Sequence, residues 1–172
     1  MNELEHVWPQ MLEQAIAEAR DDGRHDVADY LHLKASNDRI RAAAVKWLFD
    51  SMIEIAADAN CDAHGVTIER EEPHNFASGN SNMVGSRLLL RHGVRMLTIQ
   101  AGWARTPKDG IMRRGSLVYA RITHFGMPKA GLELFLIRRG DIPNWFSTAV
   151  DDSLKAFDSE ELRRHFRLFI GA

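Results

Sequence analysis

A chain of 172 residues, 45% hydrophobic and 27% charged, has the composition of a folded globular protein and can bury roughly two thirds of its unfolded surface. Its single cysteine, Cys61, excludes an intramolecular disulfide and a cysteine-built metal cage. A net charge of −2 with a pI near 6.4 argues against a dedicated DNA-binding protein, and no apolar run approaches the ~20 residues of a membrane span.

Pro9 belongs in the first turn of a helix, which places the first helix start near Val7 or Trp8. Trp8, Met11, Leu12, Ala15, Ile16 and Ala19 then form one apolar stripe, and Gly23 ends it. A short second helix is expected from Asp26 to about Leu33, burying Val27, Tyr30 and Leu31. A third, capped by Ser36 or Asn37 with Asp38 in its first turn, should run to about Asn60 and bury Ile40, Ala44, Val45, Trp47, Leu48, Met52, Ile55, Ala56 and Ala59. After Gly65 the period falls to two. Val66 to Glu69 reads as a strand, and the Asn, Ser and Gly residues of 73–85 read as a loop or an irregular strand. Arg87–Arg91 and Arg95–Trp103 flank a His92-Gly93 hairpin turn. Thr106 to Gly110 is a further turn, followed by strands over Leu117–Phe125 and Leu132–Arg138. Ser159 caps a last helix with Leu162, Phe166 and Phe169 inside.

The pattern predicts one α+β domain spanning 1–172. About three N-terminal helices and a C-terminal helix should pack on one face of a five-stranded antiparallel sheet. The acidic start, Met1-Asn2-Glu3-Leu4-Glu5, is unlike a signal peptide, so the expected location is the cytoplasm.

Charge divides the chain unevenly. Residues 1–63 are helical with a balance of −7, residues 64–150 form the basic sheet at +6, and the tail 151–172 stands at −1. Most of the basic residues in the sheet region are arginines, which suit bidentate contact with phosphate or carboxylate. Strand alternation puts Arg87 and Arg91 on one face, and Tyr119 and Arg121 on one face of a later strand. Arg87, Arg91, Arg105, Arg113, Arg114 and Arg121 are therefore candidate anion contacts, with Tyr119 and Trp103 as stacking groups. The expected partner is a polyanion, most plausibly nucleic acid. The competing reading is a solvated face, or one answered by acidic helices in a homo-oligomer.

No phosphate loop, dinucleotide fingerprint, nucleophile elbow or HExxH motif occurs, so no cofactor or metal is implied. An alternative is a small enzyme or ligand-binding protein with a pocket between helices and sheet. Its candidate acid–base residues are His74, His124, Glu69 and Glu71. His124 follows Ile122 on the inner face of its strand, where a neutral, hydrogen-bonded core histidine is the commoner outcome.

Overall fold

The structure, a computed structural model, describes residues 3–61 and 64–172. It is α+β, with three helices and one antiparallel sheet of seven strands. The chain divides into two compact units, Met1–Ala43 and Ala44–Ala172. The side chain of Cys61 and the expected boundary at residue 63 lie outside the described residues.

The first unit is a helical hairpin. Helix α1 (Glu3–Asp21) turns through Asp22–Arg24 into α2 (His25–Cys61). Gly23 takes a φ of +74° at the turn, and Arg24 donates its N–H to the Ala19 carbonyl at 2.8 Å. Ala19 and Ala28 are buried beside the turn, and Ala35 is buried a further two turns along α2. Helix α1 begins a turn earlier than expected and carries Pro9 inside it. The second and third predicted helices are one helix. No glycine or proline interrupts residues 24–64, and Asp38, read as a first-turn residue, instead holds Arg41 at 2.9 Å.

In the second unit the strands are β1 (Thr67–Ser78), β2 (Ser81–His92), β3 (Arg95–Trp103), β4 (Val118–His124), β5 (Leu132–Arg139), β6 (Ile142–Thr148) and β7 (Leu154–Ala156). They pair antiparallel in chain order. Residues 73–85, expected as a loop or an irregular strand, form a hairpin: β1 continues through a register shift between Glu71 and His74, and Gly79 (φ +58°) makes the turn. The expected count of five strands becomes seven because β6 and β7 follow β5. Pro143 and Asn144 hid β6, but β7 reaches only Phe146 to Thr148, so the outer side of β6 is free where its proline falls.

Leu88, Ile99 and Ile122 form one cross-strand row, and Leu90, Leu97 and His124 the next. This face lies under helix α3 (Ser159–Ile170), which contributes Leu162, Phe166 and Phe169 to the core. Each fully buried Leu or Ile here contributes roughly 1.5–3 kcal/mol. Asp158, rather than Ser159, caps α3, accepting the N–H groups of Glu160 and Glu161, and Gly171 closes it in the left-handed region. The C-terminal half of α2 buries Leu48, Phe49, Met52 and Ala56. It meets β1 where Arg70 lies over the Phe49 ring and where Asn60 bonds both backbone groups of Val66. No helix among the described residues is long and apolar enough to cross a membrane.

Candidate anion-binding site

Two adjacent rows cross the other face of the sheet. Register puts Glu71, Arg87, Gln100, Arg121 and Glu133 side by side on β1 to β5. The neighbouring row holds His74, Gly85, Gly102, Tyr119, Phe135 and Phe146 on β1 to β6. The polar faces of β2 and β4, expected separately from alternation, therefore coincide, with Gln100 between their arginines.

Contacts link the polar row from Arg87 through Glu71, His74 and Gln100 to Arg121, and a separate set surrounds Glu133. Arg87 contacts the Glu71 carboxylate at 2.6 Å, and Glu71 lies 3.4 Å from Nδ1 of His74. Gln100 accepts from Arg121 through Oε1 at 2.7 Å and turns its amide nitrogen to Nε2 of His74 at 2.9 Å. An amide nitrogen only donates, so Nε2 of His74 accepts and the ring proton sits on Nδ1, facing Glu71. At the far end Glu133 takes Arg113 at 2.7 Å and the Tyr119 hydroxyl at 2.7 Å. Burial, then the Glu133 carboxylate, hold the Tyr119 phenol above its ordinary pKa, against an opposing hydrogen bond from Ser78.

Charge along the row is thus answered at its ends and left over at its centre. Glu71 is matched by Arg87 and Glu133 by Arg113, while Arg121 bonds Gln100 and has no carboxylate within 4.0 Å among the described residues. Beside it, Gly85 and Gly102 leave the sheet without side chains between His74 and Tyr119, and Phe76 leans over the gap. The His74 and Phe76 rings stack at 5.7 Å. Beyond them Met83, Tyr119, Phe135 and Ile137 make a buried apolar cluster against which Met112 of the β3–β4 connection packs. That connection carries Arg113 and Arg114 across the Phe135 ring.

The candidate residues read from the sequence distribute as follows. Glu71, His74, Arg87, Tyr119 and Arg121 come together in these two rows, with Arg113 at their end. Glu69 and Arg91 face each other at 3.9 Å farther along β1 and β2. Arg114 is taken by Asp152. Arg105 stacks on Trp103 with its guanidinium 3.9 Å from the ring centroid, and also donates to the Val84 carbonyl. Trp103 follows Gly102 in β3 and so belongs to the opposite face. His124 is not near His74: it is buried under α3, where its Nε2 lies 3.0 Å from Nδ1 of His165. Nothing local to either residue marks His165 as its partner, because the contact joins a strand to a helix 41 residues away. Gln100 and Glu133 were likewise missed. They are ordinary polar residues, and only cross-strand register gives them a place in the row. No group of three or more His, Cys, Asp or Glu that could hold a metal occurs among the described residues.

Comparison with protein-family models, with curated proteins and with solved structures returns no match to this chain.

Proposed function

We propose that the chain is a binding protein whose polar sheet row holds a small anionic ligand at Arg121, its apolar part lying against Phe76 and the glycine gap. The observation that carries this reading is the unanswered guanidinium at the centre of a row whose other charges are paired. Tying Gln100 to both Arg121 and His74 fixes the direction of the arginine's remaining donors, which lowers the ordering cost of binding. A few convergent polar groups over an apolar floor are the ordinary form of a small-molecule site.

A nucleic-acid strand is the extended version of the same chemistry, and it needs a run of cations free to meet successive phosphates. Arg87, Arg91, Arg113 and Arg114 each stand within 4.0 Å of a carboxylate, which favours the small anion.

Titration calorimetry with inorganic phosphate, benzoate and a single-stranded oligonucleotide tests the proposal. Saturable binding of phosphate or benzoate, weakened at least tenfold by Arg121→Met in a protein that keeps its melting temperature, is the expected result. Equal binding by the Arg121→Met protein refutes the site. Oligonucleotide binding that falls steeply with salt, without binding of the small anions, restores the nucleic-acid reading instead.

A further inference from the structure

The Gln100 amide stands between a cation that only donates and a histidine that can gain a proton. Its Oε1 accepts from Arg121 at 2.7 Å, and its nitrogen points to Nε2 of His74 at 2.9 Å. A guanidinium offers no acceptor to an amide nitrogen, so the amide has no other way round while it holds Arg121. That orientation needs Nε2 of His74 to be free of its proton. A proton arriving there sets N–H against N–H across the 2.9 Å gap, two donors with no acceptor between them. Turning the amide by half a rotation restores the bond, with Oε1 accepting from the new Nε2–H. The same rotation brings the amide nitrogen to Arg121 and ends its hold. A protonated His74 and the Gln100–Arg121 bond therefore exclude each other.

The groups around His74 are charged on both sides of this balance. Its Nδ1 faces Glu71 at 3.4 Å, and that carboxylate favours a positive ring. Arg87 on β2 opposes it through its 2.6 Å contact with the same carboxylate, and Arg121 on β4 opposes it from beyond Gln100. Arg70 and Glu72, which flank Glu71 in β1, contact each other at 3.4 Å. Phe76 stacks on the ring and brings no charge. The His74 side chain keeps 12% of its surface exposed, so solvent protons reach it. His124 and His165 belong to the opposite face of the sheet, where α3 packs.

Resting on the anion site proposed at Arg121, we infer that His74 regulates that site through the Gln100 amide, turning it from a weak to a tight form as the ring takes up a proton. In the neutral form Gln100 presents an acceptor oxygen beside Arg121 and occupies one of its donors. In the protonated form the amide nitrogen and the freed guanidinium donor converge. An anion accepts from both and takes over the orienting role of Oε1, with a second positive charge behind them. Proton and anion thus strengthen each other's binding by the same factor.

Nitrogen NMR of the ligand-free protein tests the switch without any ligand. At pH 8 His74 should be the Nδ1–H tautomer. Between pH 8 and 5.5 the Gln100 side-chain amide signals should move together with those of the His74 ring. An Nε2–H tautomer at pH 8, or Gln100 signals that do not follow the ring, overturns the inference. Calorimetry with benzoate, which stays ionised over this interval, reads the consequence for binding. Affinity should be about tenfold higher at pH 5.5 than at pH 8, within the ordinary range of coupling between two sites. Binding should also take up a proton, seen as a heat that varies with the ionisation enthalpy of the buffer. His74→Phe keeps an aromatic ring against Phe76 and should bind benzoate equally at both pH values. Benzoate binding at Arg121 with no pH dependence, or a pH dependence that persists in His74→Phe, overturns the switch and leaves the site standing. No benzoate binding at either pH, or binding that Arg121→Met leaves unchanged, removes the site and the switch with it.

Discussion

Acid should unfold this protein through two histidines before it does so through its carboxylates. His124 and His165 are both buried, joined by one ring-to-ring hydrogen bond of 3.0 Å, and their outer nitrogens, Nδ1 of His124 and Nε2 of His165, have no partner among the described residues. Burial, then the facing His124 and Arg164, push His165 down to about 4, with Glu161 opposing, and burial alone lowers His124. A histidine whose folded pKa is depressed takes up its proton more readily when unfolded, so stability falls as pH drops from the unfolded value near 6.5 towards 4. A shift from 6.5 to about 4 corresponds to about 3 kcal/mol lost across that window, on the order of a hundredfold in the unfolding constant. Urea unfolding at half-unit pH steps between 7 and 4 measures it. Replacing both rings, as His124→Leu with His165→Phe, removes the buried polar groups together and should flatten the curve. His165→Leu alone leaves His124 without its partner and should cost about 1–3 kcal/mol at pH 7. If the double variant loses as much stability between pH 6.5 and 4 as the wild type does, the histidine pair is not the titrating element and the reasoning fails.

Two further substitutions test the architecture. An alanine Cβ at Gly85 would stand 1.8 Å from the Ala101 carbonyl oxygen and 2.5 Å from Gly102 Cα, so Gly85→Ala should cost about 2–4 kcal/mol in thermal or urea unfolding. Gly131→Ala, whose nearest contacts are 3.3 and 3.4 Å, should change stability by less than about 1 kcal/mol and serves as the control. Asp158→Ala strips the side-chain acceptor from the Glu160 and Glu161 N–H groups and should cost about 1 kcal/mol. Asp158→Asn or Asp158→Ser should recover most of that loss.

What the sequence made legible was whatever a local period or a turn residue encodes. The change of period after Gly65 announced the antiparallel sheet, and the Gly93, Thr106-to-Gly110 and Gly126 turns fall where their residue types demand. Errors came where one local signal has two structural uses. Ser36, Asn37 and Asp38 are capping residues by type, yet in α2 the helix runs through them and Asp38 bonds Arg41. Pro143 marks the end of a strand in a central position and is harmless on the outer side of β6. The candidate site was half readable. Alternation put Arg87 on one face and Arg121 with Tyr119 on one face, but the length of each connection sets register, so Gln100 between them and the glycine gap beside them were invisible. The His124–His165 contact has no local trace at all.

Every strand of the sheet pairs with the strand just before it in the chain, and the longest excursion between two partners is the segment 104–117. Each pairing therefore closes a short loop, at small entropic cost and without waiting for distant chain. During synthesis each new strand finds its template edge already made, and α3 comes after all seven strands to cover the row that ends in His124. A chain built in this order assembles by accretion, and its most exposed moment is the interval before that helix arrives.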